Sequence, residues 1–243
     1  MTATDLAQDG SVIWTTLAEP GRGLAQAVSR RRATTALLVA TLATVLSTAV
    51  IIPRLDMEQA AADQLRPDMT PHERQEALVT ATKLETVKQW ASAAVSPTVL
   101  GFFAACFLYL GFWVGGARAG FRETFTVTAH GMLPVWLKHL LFVPAALAQG
   151  PVAPAGVEKL LPSSLAALLP TSLPPAAIAA ASALDLFTLW ALYLTGSGMA
   201  KAAGASRRRA FVVTIVLFVA YVAIFKIVPT AGPAGGPGPR GGP

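Results

Sequence analysis

Charged residues are scarce in this 243-residue chain: Asp, Glu, Lys and Arg make up 13%, against about 25% in ordinary soluble domains. That shortage excludes a solvated globular surface over most of the length. Cysteine is limited to Cys106, so no intramolecular disulfide can form and the redox compartment stays unspecified. With three histidines and that one cysteine, no metal-binding set appears at ligand spacing, no glycine loop is built to cradle phosphate, and no cofactor is expected. His72-Glu73 opens like a zinc-protease motif, but position 76 holds Glu76 where a second histidine is needed. Thr195-Gly196-Ser197-Gly198 resembles the serine turn of intramembrane proteases, yet lacks the leading glycine, and no histidine follows it. The sequence therefore predicts a protein that is not an enzyme, with Ser197 a small packing residue.

What the chain has instead is apolar length. Hydrophobic residues reach 53% and the mean hydropathy is +0.54. A span needs about 20 mostly apolar residues to cross about 30 Å of hydrocarbon, and such stretches fall near 33–53, 93–116, 124–148, 177–200 and 210–228. Because backbone amides in lipid must be satisfied internally, the sequence predicts an all-α membrane protein: a bundle of five transmembrane helices. The first stretch starts after about thirty polar or mixed residues, too late for an ordinary cleaved signal, and reads as a retained signal anchor.

Basic residues orient the bundle. Arg30, Arg31 and Arg32 precede the first span, Arg118 and Arg122 separate the second from the third, and Lys201 with Arg207, Arg208 and Arg209 separates the fourth from the fifth. Five crossings put all three clusters on one side, which predicts a cytoplasmic N-terminus and an external C-terminus. The net charge of +6 thus sits at membrane edges, where it sets topology and can meet anionic headgroups; nucleic acid is not an expected partner.

Outside the spans, residues 1–32 form a cytoplasmic amphipathic segment that Pro20-Gly21 divides, expected to lie along the membrane surface. External residues 56–89 contain a helix start, with Thr70 as N-cap, Pro71 at the first position and Glu73 placed to close a capping box. The external loop 150–175 is apolar but interrupted by six prolines, which disfavours a sixth span and predicts short helical turns. The tail from 229 to 243 is Gly- and Pro-rich and is expected to be disordered.

Ionisable groups inside spans are costly and face protein or water. Here they are His130, Lys138 and His139 on the third span and Asp185 on the fourth. At ~1.5 Å per residue, Asp185 lies roughly 12 Å inside the outer end of its helix and Lys138 roughly 14 Å inside its own. Equal depth permits an ion pair, whether as a structural contact or as part of a proton or ion pathway; alternatively Lys138 snorkels outward. Pro134 is expected to kink the third helix. Gly111 and Gly115 on the second span, and Gly196 on the fourth, mark faces for close helix contact, within one bundle before dimerisation.

The chain resembles the Yip family, the Ypt-interacting, Rab-associated multi-span membrane proteins, in its bacterial branch. The resemblance is carried by Trp14, Leu17 and Pro20 before the first span and by Thr70-Pro71-His72-Glu73-Arg74-Gln75. It continues through the Thr- and Val-rich third span running into Leu133-Pro134, then Asp185, Phe187 and Trp190 ahead of Gly196 and Gly198, and the loop Gly204-Ala205-Ser206-Arg207. It implies a five-helix bundle of the orientation given above. Eukaryotic members look like adaptors acting through small GTPases; this chain lacks the acidic Asp-Leu-Tyr-Gly-Pro signature of many of them, so a Rab-binding role does not transfer. The Arg, Ala, Gly and Pro bias points to a bacterial inner membrane. Two functions remain open at this point: a non-enzymatic scaffold or adaptor, with the bilayer and a protein partner or second copy as partners, and a small transporter or channel component using the intramembrane ionisable residues.

Overall fold

The computed structural model describes residues 3–62, 65–66, 68–148, 161–170 and 173–228. The tail from 229 on and half of the proline-interrupted loop lie outside them. Within them the chain is helical: α1 Ala3–Ala18, α2 Pro20–Arg30, α3 Thr34–Ile51, α4 Met57–Ala62, α5 Pro71–Val114, α6 Phe121–Gly131, α7 Leu133–Ala148, α8 Pro175–Ala183, α9 Leu186–Ala202 and α10 Arg207–Val222. The only ladder contact among the described residues outside helices is one isolated bridge, Ser164 to Asp185. A short 3₁₀ turn spans Leu165–Leu168.

Four helical segments are long and apolar enough to cross a bilayer: Thr34–Arg54, Pro71–Val114, Phe121–Ala148 and Arg207–Ile227. They answer to the first, second, third and fifth expected spans. The expected continuous helix over 177–200 is divided, because the chain leaves helical geometry at Leu184 (ψ 79°) and Asp185 (φ −115°, ψ 160°) before α9 begins. The third span also has a joint, at Met132, and Pro134 sits in the first turn of α7, where a missing amide costs no helical hydrogen bond. Thus the bend expected from Pro134 is a change of helix two residues earlier.

Helix α5 runs through 44 residues, about 66 Å at the helical rise. That is roughly twice a hydrocarbon core, so its first half is an arm beyond the apolar part. Its start is fixed as the sequence predicts: Glu73 N donates to Thr70 Oγ1 at 3.4 Å, and Thr70 N donates to Glu73 Oε2 at 2.9 Å. The Thr70 hydroxyl also donates to Glu73 Oε2 at 2.7 Å, and this bond, with the one from the Thr70 amide, holds the Glu73 carboxyl below its ordinary range. Short helix α4 packs on this arm.

The bundle closes around small residues. Helix α3 lies along α7 and α5, α6 along α9 and α5, and α10 against α9 and α5. Leu108, Phe112, Val127, Met199 and Ala210 form one buried cluster, and Ala36, Ala129 and Leu133 another with Ile13 of α1. Buried Thr124, Thr126 and Thr128 each donate to the carbonyl four residues back, so α6 buries a polar face whose hydroxyls are satisfied within their own helix. Large side chains such as Phe103, Phe107, Leu110 and Val216 point outward, as a lipid solvent requires.

The N-terminal segment is a helical hairpin docked on the bundle. Pro20 opens α2, and Gly23 lets the two helices meet so closely that a Cβ there would lie 2.2 Å from the Thr16 backbone nitrogen. Leu24 is fully buried and reaches Gly198 of α9, whose missing side chain also leaves room for Val127 of α6. Arg31 ends α2 in a left-handed conformation, φ 52°. Its guanidinium pairs with Glu123 at 2.7 Å, and its carbonyl accepts from Arg122 Nε at 3.2 Å. The amphipathic pattern of this segment is thus buried against α6 and α9 on one side, while Trp14 stays 73% exposed on the other.

Candidate functional site: the polar joint in the apolar bundle

The break between α8 and α9 is built by Asp185. As N-cap of α9, its Oδ1 accepts from the backbone amides of Phe187 at 2.8 Å and Thr188 at 3.0 Å. Its Oδ2 accepts from the Thr188 hydroxyl at 2.8 Å and lies 3.4 Å from Lys138 Nζ of α7. Capping satisfies amides that a helix start would otherwise leave open. The loop before α8 completes the joint: Leu165 N donates to Leu184 O at 2.9 Å, and Leu186 N donates to Ser163 O at 3.2 Å. Non-helical backbone at such depth is tolerated where other chain segments cover it.

Lys138 is enclosed as well as paired. Its ammonium sits 5.8 Å from the Phe142 ring centroid and 6.0 Å from that of Phe187, both within cation–π range. The two charged side chains keep 18% and 10% of their surface, so the pair is largely withdrawn from the surroundings. His139 stands next to it, stacked on Trp136 at 5.9 Å and edge-on to Phe142 at 5.8 Å, with Nδ1 3.2 Å from Val135 O.

His130 belongs to a different setting. It is buried at the end of α6, Nδ1 lies 2.9 Å from Thr126 O, and it lines a cavity of about 10 Å³ with Val12, Ala27, Arg30, Arg32 and Thr35. That volume is close to the minimum for one water. The structure therefore brings Lys138 and Asp185 together within the length of α7, leaves His139 beside Lys138 on Trp136 and Phe142, and places His130 among the arginines of the α2–α3 joint.

The glycines singled out from the sequence serve contacts inside the bundle. A Cβ on Gly111 would meet Leu217 Cδ1 at 2.5 Å, one on Gly115 would touch Val213, and one on Gly196 would press the Phe211 ring at 3.1 Å. All three admit side chains of α10. Among the described residues no cluster of His, Cys, Asp and Glu is arranged to hold a metal ion.

Several residues of this site escape sequence reasoning. Phe142 reads as an ordinary apolar position, Phe187 is marked only by the family resemblance and not as a neighbour of Lys138, and Ser163 reads as part of a loop. One signal was available: Asp185 immediately ahead of an apolar run is an N-cap residue at a helix start, masked here by the surrounding hydropathy.

These observations define an all-α, multi-pass membrane protein with a polar joint inside an apolar bundle. Residues 14–227 match the family model of the Yip1 domain, and the chain belongs to that family. Neither the comparison with curated proteins nor that with solved structures gives a match.

Proposed function

We propose that this Yip1-domain protein is a non-enzymatic scaffold or adaptor of a bacterial inner membrane. Five crossings leave its N-terminus cytoplasmic and its C-terminus external. The observation that supports this reading is the saturation of the polar joint: the Asp185 carboxylate accepts three hydrogen bonds and an ion pair. A carboxylate so committed acts as a structural tie, whereas a transported ion or proton needs exchangeable ligands. The orientation is supported by the arginine clusters, and the docked hairpin α1–α2 then presents Trp14, Glu19 and Arg22 to the cytoplasmic side. Such exposed aromatic and charged residues on a rigid support suit partner recognition.

Crosslinking in native membranes, followed by mild purification and mass spectrometry, tests the role. A reproducible protein partner is expected with the wild-type chain and lost with Trp14→Ala and Arg22→Glu, which leave the buried face of the hairpin intact. Solute flux in liposomes that disappears in a folded Asp185→Asn variant would instead establish a transporter and overturn the adaptor. A reporter fused after Pro243 that is active only in the cytoplasm would overturn the five-crossing orientation.

A further inference from the structure

At the start of α10 the fold does something the helix dipole opposes. The residues entering the helix after the Ser206 cap are Arg207, Arg208 and Arg209, three cations at the positive end of the macrodipole. Counter-charge is missing from this part of the chain, because Asp185 is the last carboxylate side chain in the sequence. None of the three arginines makes an ion pair with a described carboxylate: Glu123 is taken by Arg31 and Asp185 by Lys138. An arrangement of this kind is complementary to an anion that the described residues do not supply.

Arg207 is also held in a fixed pose. Its Nη2 donates to the Tyr193 hydroxyl at 3.1 Å, and its guanidinium carbon lies 5.7 Å from the Tyr193 ring centroid and 5.6 Å from that of Phe211. The Phe211 ring is itself seated on Gly196, where any Cβ would press it. Tyr193 remains 42% exposed, so this seam between α9 and α10 opens to the surroundings of the bundle. Arg207 is the first residue of the apolar segment Arg207–Ile227, which sets it at the level of lipid headgroups. Arginine stacked on rings keeps a planar fork of donors suited to two phosphate oxygens, and the α10 amides add their own positive end.

We propose that Arg207, clamped by Tyr193 and Phe211 in the groove between α9 and α10, binds the phosphate of an anionic phospholipid. The seam is a built site and not merely a diffuse basic surface, and it works whether or not the protein also has a protein partner.

The test uses the full-length protein in detergent, offered equal amounts of phosphatidylglycerol and phosphatidylcholine, with retained lipid quantified by native mass spectrometry. A basic residue near an anionic surface contributes ~1 kcal/mol, about fivefold. Wild type should therefore retain phosphatidylglycerol about fivefold over phosphatidylcholine, with Arg66→Gln, a change at an exposed arginine away from the seam, leaving the ratio unchanged. Arg207→Gln removes the charge and should bring the ratio to parity. Arg207→Lys, which keeps the charge but loses the fork, and Tyr193→Phe, which keeps the stacking but loses the hydroxyl, should each lower it part of the way. Unfolding temperature in phosphatidylcholine should stay near wild type in all three. Parity in the wild type, or wild-type retention in both Arg207→Lys and Tyr193→Phe, overturns the site. Excess inorganic phosphate separates the sources: phosphatidylglycerol retained in its presence supports a lipid site, and complete displacement overturns it in favour of free phosphate.

Discussion

Asp185 holds Lys138 across the bundle at 3.4 Å while capping the helix that follows it. Its carboxylate thereby ties α7 to α9, while the backbone of the flanking Leu184 and Leu186 pairs with Leu165 and Ser163 of the loop. Neither function is independent of the other, because rotating the carboxylate toward one partner withdraws it from the second.

Asp185→Asn preserves an acceptor for the Phe187 and Thr188 amides but leaves the Lys138 ammonium enclosed by Phe142 and Phe187 without its counter-charge. Breaking a buried pair by removing one partner costs about 3–5 kcal/mol; Lys138 keeps some exposure, so the lower end is expected. Lys138→Met should recover most of that loss in the double variant, and Asp185→Ala should be worse than Asp185→Asn by about 1 kcal/mol for the lost cap. Thermal unfolding in detergent of the two single variants and the double variant checks it. Additive losses would show that the two residues are not coupled.

Gly23 and Gly21 lie two residues apart in α2 and should respond in opposite ways to alanine. At Gly23 the new Cβ would fall 2.2 Å from the Thr16 backbone nitrogen, and a backbone cannot turn aside as a side chain can, whereas at Gly21 nothing lies within 4 Å. Gly23→Ala should cost at least the ~1–3 kcal/mol of overpacking by pushing α1 off α2. Gly21→Ala should be neutral or stabilising by ~0.4–1 kcal/mol, through reduced freedom of the unfolded chain. Equal unfolding temperatures for the two variants would mean the hairpin is not packed in this way.

Local and one-dimensional information reads well from this sequence. The capping box at Thr70 and Glu73 needs only four consecutive residues, and the level of Lys138 relative to Asp185 needs only the helical rise. The division at Leu184 was hidden because alanines and leucines on both sides keep hydropathy high while the Asp185 cap, a local competitor to helix continuation, ends one helix and starts the next. The seating of Leu24 against Gly198 and the Arg207 sandwich depend on residues far apart in sequence or on different helices. No local pattern marks them; a glycine in a span announces close approach without naming what approaches.

The α5 arm should loosen at its tip in acid. Because hydrogen bonds from the Thr70 hydroxyl and amide lower the Glu73 pKa below its ordinary 4.5 in the folded chain, the bound proton favours the open form. Their contribution is fully present above pH 4.5 and fades as pH falls through the lowered folded value. Amide exchange over residues 72–76, corrected for intrinsic rates, should therefore rise at low pH in the wild type and be already raised near neutrality in Glu73→Ala, with no further acid-dependent step. An acid step that persists in Glu73→Ala would assign it to another group.

Gly111 decides whether the small-residue face of α5 is used within the chain or between chains. Leu217 of α10 fills the space over it, with Cδ1 2.5 Å from where a Cβ would stand, so the face is already occupied. Gly111→Ala should then destabilise the bundle by ~1–3 kcal/mol as Leu217 is forced from its rotamer. Because the obstruction is the far end of a flexible side chain, the lower part of that range is expected. Leu217→Ala removes the obstruction, so the double variant should be more stable than the sum of the two single losses predicts. The oligomeric state measured by light scattering in detergent should be the same for wild type and Gly111→Ala. A shift toward smaller species, with unfolding temperature unchanged, would place the glycine face between copies of the chain and contradict the packing of α5 on α10.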